Sequence, residues 1–147
     1  MENGRIYIGP KTMEYNREKA KDGKSYDILF QAKHILGYRA VIVNYYSHPC
    51  AYIGLPEDHP YCNKDYGDLN IDCHGGLTYS DNYHTMVKEL CDNGWFIGWD
   101  YNHLKDYNSY MEDFDFYSKR WTTEEIMEEC ANVIEQLEEV KQKALEG

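Results

Sequence analysis

Residues 38–55 read YRAVIVNYYSHPCAYIGL, and this stretch decides the fold. Tyr38 to Tyr45 is rich in β-branched and aromatic side chains, which suit a pleated, half-buried surface. Ser47, His48 and Pro49 form a turn signal, and Cys50 to Leu55 reads as the returning strand. On the N-terminal side, Ile28 to Leu36 roughly alternates apolar with polar and is closed by Gly37. Together these segments predict an antiparallel meander of three strands.

Working outward, Trp95 to Trp99 (WFIGW) reads as a strongly apolar strand. Gly98 inside it marks a close backbone approach or a bulge. Leu77 to Tyr79 favours a short strand, and residues 4–9 (GRIYIG) another, closed by Pro10. Residues 11–26 read as a loop or weak helix, and residues 81–93 as one or two helical turns broken at Asn93-Gly94. Pro56 to Leu69 is a long polar loop of the kind that often carries function. Asp100 to Arg120 is Asp- and Tyr-rich without periodicity and reads as a second irregular excursion.

The last element is a helix. Thr122 is its N-cap and Glu125 the capping-box partner. Glu124, Glu125, Glu128 and Glu129 suit the positive end of the helix dipole. Ile126, Cys130, Val133, Leu137, Val140 and Ala144 form a narrow apolar seam. Docking on a sheet face is the expected use of that seam, with oligomer packing as the alternative. The fold class expected is α+β: a single domain over residues 1–147, an antiparallel sheet of about five strands and a long C-terminal helix on one face.

Composition bounds the function. The net charge of −11 argues against binding nucleic acid, which needs a cationic footprint. It leaves room for a nucleotide pocket served by a few local cations, and for an acidic decoy. Tyrosine is abundant at 15 residues and phenylalanine scarce at 4, so Tyr serves either ligand surfaces or the core. Five cysteines without a C-x-x-C pair point to reduced thiols in a cytoplasmic protein. Neither a signal segment nor an 18-residue apolar run is present, so neither secretion nor membrane contact is expected.

The chemistry concentrates in two stretches. Asp72-Cys-His74-Gly75-Gly76-Leu-Thr-Tyr79 places a histidine beside two residues free to adopt positive φ. Asp100, His103 and Asp106 recur every three residues after the WFIGW strand. With His59, these groups are compatible with a divalent metal, with a His–Asp dyad acting on water, with polar contacts to an organic ligand, or with structural hydrogen bonds. No H-E-x-x-H, H-x-H or C-x-x-C spacing supports a metal, so organic-ligand contacts lead, and no metal or cofactor is expected. The 56–69 and 100–120 excursions are expected to meet near His74 and form one pocket.

Several blocks carry a resemblance. They are Tyr52-Ile-Gly-Leu-Pro56, His59-Pro60, Tyr66-x-Asp68, Asp72-x-His74-Gly-Gly-Leu-Thr-Tyr79, Gly94-Trp-Phe-Ile-Gly-Trp-Asp100 and His103-x-x-Asp106, with Glu129-Cys130 through Gln136-Leu137 in the helix. Over roughly residues 38–137 the chain resembles a family of small accessory proteins encoded by tailed bacteriophages and prophages. It departs from their pattern at Lys105, where a Gly often precedes the Asp. The resemblance implies a phage accessory protein acting in the host bacterial cytoplasm.

By analogy with phage counter-defence, the leading expectation is a protein that sequesters a nucleotide-derived immune signal, such as a cyclic ADP-ribose derivative or a cyclic dinucleotide. The expected ligand-binding residues are His59, His74, Gly75, Gly76, Tyr79, Trp99, Asp100, His103, Asp106, Arg39 and Arg120. Trp95, Tyr101 and Tyr107 add stacking surface, and Lys64, Lys105 and Lys119 add charge. A homodimer or larger assembly is expected, with pockets where subunits meet. The alternatives are a hydrolase using His74, His103 and Asp100, and an acidic protein inhibitor of a host defence enzyme.

Overall fold

The computed structural model describes residues 27–44, 48–82, 94–103, 106 and 119–147. The meander forms as the pattern of 28–55 requires. β1 (Asp27–Lys33), β2 (Arg39–Asn44) and β3 (Pro49–Gly54) pair antiparallel in sequence order. β4 (Tyr79–Asp81) and β5 (Phe96–Asp100) complete a five-stranded sheet in the order β1-β2-β3-β5-β4. Every strand pairing within this sheet is antiparallel. The expected strand at 4–9, the segment 11–26 and the helical turns within 83–93 lie outside the described residues.

Alternation sorts the strands into two faces. Ala40, Ile42, Ala51, Ile53, Ile97 and Trp99 face α1 (Thr123–Glu146) and build the main core with Ile126, Cys130, Val133 and Leu137. Val41, Val43, Cys50, Tyr52 and Phe96 form a second cluster on the opposite face. Gly98 is where β3 approaches closely: a Cβ there would lie 2.5 Å from the Tyr52 ring and 2.9 Å from the Ala51 carbonyl oxygen.

α1 opens with the expected capping box, the Thr122 hydroxyl receiving the Glu125 amide and the Glu125 carboxylate receiving the Thr122 amide. Its buried face is wider than the seam, because Met127, Ala131 and Ile134 are buried as well. It is also shorter: Val140 is half-buried and Ala144 exposed. The reason is length. At 24 residues the helix runs about 36 Å, whereas strands of five to seven residues span about 17–23 Å, so the last turns overhang the sheet. Among the described residues no helix is long and apolar enough to cross a membrane.

One strand starts later than the sequence suggests. The chain meets β5 only at Thr78, whose amide donates to the Gly98 carbonyl, so β4 occupies Tyr79–Asp81 instead of 77–79. Leu77 packs against the helix-side core.

Candidate functional site

The His-Gly-Gly turn is pinned to α1 at two points. The Asp72 amide donates to Gln136 Oε1 and the Gln136 amide group donates back to the Asp72 carbonyl, both at 2.7 Å. The His74 amide donates to Glu129 Oε1 at 3.0 Å. Glu129 and Gln136 are seven residues apart and share one helix face. Gly75 and Gly76 have φ of 69° and 84°, which L side chains adopt at a cost. At Gly75 space is decisive too: a Cβ would fall 2.2 Å from the His103 ring.

Asp106 is the hub. Its Oδ2 lies 2.7 Å from His74 Nε2 and 3.3 Å from His103 Nδ1, and accepts the His103 backbone N–H at 3.0 Å. Its Oδ1 accepts the Trp121 indole N–H at 2.9 Å. The carboxylate is nearly sealed, with 5% side-chain exposure against 23% for His74 and 35% for His103. Burial alone would raise its pKa. The hydrogen bonds from His74, the His103 amide and Trp121 outweigh that and hold it below the ordinary carboxylate range.

Aromatic contacts fix the imidazoles. His74 stacks on Tyr101 at 4.5 Å with an 11° interplanar angle, and meets Trp121 and His103 edge-on at 4.9 and 5.3 Å. Asp100 supports His103 from behind: its Oδ1 is 3.6 Å from His103 Nε2 and accepts the Asn102 amide, while its Oδ2 accepts the Thr78 hydroxyl. The Cys73 thiol is no nucleophile, since burial pushes its pKa up to about 12. Cys50, Cys62 and Cys130 are free thiols as well.

The structure therefore gathers His74, Gly75, Asp100, His103 and Asp106 from the sequence-derived set. The remainder do not contact the His74–Asp106–His103 cluster in the described hydrogen bonds and ion pairs. His59 is 3% exposed, accepts the Tyr61 amide on Nδ1 and contacts the Leu137 carbonyl through Nε2 at 2.8 Å. Both ring nitrogens are engaged and the imidazole is a neutral structural group, so the 56–69 loop does not deliver it to His74. Arg39 sits over the Phe96 ring at 4.8 Å and donates to the Leu55 carbonyl. Phe96 and Asp100 are the two ends of β5, about 13 Å apart. Trp99 is 1% exposed and its indole N–H donates to the Tyr101 hydroxyl, so it packs the core under the site. Tyr79 meets Tyr52 edge-on at 5.3 Å, on the sheet face away from α1. The Gly76 amide is engaged by the Cys73 carbonyl. Arg120 is exposed. Tyr107 and Lys105 are outside the described residues.

Two participants are absent from the sequence-derived set. Trp121, just before the helix cap, clamps Asp106. His48 lines a cavity of about 320 Å³ with Cys50, Tyr52, Thr78, Tyr79, Trp99 and Asp100, so three residues of the sequence-derived set, Tyr79, Trp99 and Asp100, meet there. Burial lowers the pKa of His48 against the pull of Asp100. Its signal was available in the pairing of β3 with β5, since Cys50 opposite Asp100 brings residue 48 to the same sheet end. His74 also lines a groove of about 550 Å³ whose wall carries the carboxylates of Asp72, Glu129, Glu135 and Glu139. Such a lining repels phosphate.

Comparison with protein-family models, with curated proteins and with solved structures returns no match.

Proposed function

We propose that this chain is a phage accessory protein that disarms a nucleotide-derived immune signal, and that the His74–Asp106–His103 cluster hydrolyses it. One observation carries the reading: the 2.7 Å contact between His74 Nε2 and a buried Asp106 that Trp121 and the His103 amide hold in place. A carboxylate so held fixes the imidazole tautomer, with Nε2 donating, and leaves the Nδ1 lone pair as a base. Nδ1 takes a proton from water, and the water oxygen attacks phosphorus or an anomeric carbon. The imidazolium, stabilised by Asp106, returns the proton to the departing atom.

Among the described residues, the engagement of Arg39 and Lys119 favours hydrolysis over sequestration. Arg39 is engaged at the far end of β5, and Lys119 lies 3.9 Å over Trp121 and pairs with Glu125 at 2.8 Å. A tight phosphate clamp needs several converging donors. Sequestration keeps one supporting feature, the aromatic cluster in which His74 stacks on Tyr101 and meets Trp121 edge-on, against which a base could lie. In that reading a homodimer would complete the pocket. The acidic groove favours a third reading, inhibition of a basic host enzyme.

The test is incubation with cyclic ADP-ribose derivatives and cyclic dinucleotides, followed by denaturation and mass spectrometry. Cleaved products that disappear in His74→Ala support hydrolysis. Intact ligand retained by the protein supports sequestration, with light scattering giving the subunit count. A retained host protein and no small molecule supports inhibition.

A further inference from the structure

The cluster has a property that a His–Asp dyad does not require. His74, His103 and Asp106 each offer a donor atom, and the three donors lie within 4.8 Å of one another. In a tetrahedral site with bonds of about 2.0–2.1 Å, neighbouring donors stand about 3.3–3.5 Å apart. The His103 Nδ1 to Asp106 Oδ2 separation is 3.3 Å already. The 2.7 Å pair needs to open by about 0.6–0.8 Å, and the two imidazole donors stand within 4.8 Å of each other.

The surroundings match those of a metal ligand set. Ligating histidines characteristically present the second ring nitrogen to a carboxylate or carbonyl. His103 turns Nδ1 to the cluster and Nε2 toward Asp100, itself fixed by Thr78 and the Asn102 amide. Asp106 keeps one oxygen for the donors while Trp121 holds the other. The charge balance points the same way. Asp100 and Asp106 are two carboxylates, and none of the described side-chain hydrogen bonds or ion pairs of His74, His103 or Asp106 is to a lysine or arginine; Lys119, which bridges to Asp106 through the backbone, pairs its ammonium with Glu125. The two histidines retain 23% and 35% side-chain exposure, so a cation and its remaining ligands can enter from solvent.

We infer that His74, His103 and Asp106 form a binding site for one divalent first-row transition cation of the zinc type, with Asp100 positioning His103. Two imidazoles with one carboxylate select this series over magnesium and calcium, which favour all-oxygen sets, and leave coordination positions open for water or substrate. The site stands on donor geometry alone. A cation would take the Nε2 lone pair of His74 in place of its hydrogen bond to Asp106, so the ion-loaded cluster and the His74 base are alternative states; the ion's role in hydrolysis, supplying positive charge at the cluster, rests on the proposed function.

The test uses the full chain, stripped with chelator, and titrated with Zn²⁺ by calorimetry and Co²⁺ by absorption. One Co²⁺ per chain is expected, with ligand-field bands of nitrogen and oxygen coordination and no thiolate charge-transfer band. His74→Ala and His103→Ala should weaken Zn²⁺ at least about 100-fold, and Asp100→Asn about 10–100-fold. His59→Gln should bind as the parent does. Melts in chelator identify which variants fold; if His74→Ala does not, the more exposed His103→Gln takes its place. Absence of saturable binding, unchanged affinity in the histidine variants, or a thiolate band overturns the site. Zn²⁺ binding without nucleotide turnover keeps the site and removes the hydrolytic reading; turnover that persists in chelator, with no Zn²⁺ bound, does the reverse.

Discussion

α1 recruits two histidines, and they end in opposite states. His59 meets the Leu137 carbonyl, accepts the Tyr61 amide and lies edge-on to Tyr38, whose hydroxyl donates to Glu138. His74 is held by Glu129 through its backbone and reaches a buried carboxylate with its ring. At His59 the backbone satisfies both ring nitrogens and burial lowers the pKa, so the ring is neutral and structural. At His74 one nitrogen is bound to a charge and the ring stays partly open to solvent. Residue type did not separate them. What separates them is whether the partner is a carbonyl in the core or a carboxylate at its rim.

The largest expected effect tests the floor under the His59 end. Leu137→Ala should destabilise the chain by about 2–5 kcal/mol in denaturant melts, since its side chain is fully buried; the backbone carbonyl that meets His59 is retained. A loss below about 0.5 kcal/mol would contradict the buried seam.

The next contrast is direct. His59→Ala should cost about 1–3 kcal/mol by leaving buried groups unpartnered. His103→Ala should cost less, because water replaces contacts at a half-exposed ring, yet should abolish turnover. Equal stability losses with activity retained in His103→Ala would erase the distinction between the two ends.

The glycine pair sharpens the site side. Both glycines have positive φ, so Gly76→Ala, with nothing within 4 Å of its Cβ, should show only conformational strain of about 1–2 kcal/mol. Gly75→Ala adds a collision with His103 and should also displace that ring. Histidine side-chain NMR shifts that move equally in both variants would remove the steric argument.

The smallest effect is on pH dependence. Burial lowers the pKa of His34, His48 and His59 below the ordinary histidine value of 6.5. Above 6.5 both states are neutral and nothing is gained. As pH falls through that value the unfolded chain binds protons first, so stability should decline from there toward the lowered folded values. Asp106 acts separately: its contribution is present above 3.8 and lost as pH falls below. Melts between pH 7 and 5 should show a shallower slope for His59→Gln than for the parent. Identical slopes would take His59 out of the account.

What the sequence determined by itself follows from local chemistry. The β-branched run within Arg39–Asn44 and the returning segment Pro49–Gly54 made strands, and Thr122 with Glu125 made a helix cap, because each acts over a few residues. Even the glycine beside His74 was legible as a turn. Which histidine joins which aspartate was not. His74 and Asp106 are 32 residues apart, Trp121 a further 15, and no periodicity links them. Only the docking of α1 on the sheet brings Glu129, Trp121 and the β5 exit to one rim. The same docking carries His59 into the core and leaves Arg39 at the far end of β5. Burial and charge pairing act through space, so the roles of these side chains were settled by the packed fold and not by their spacing.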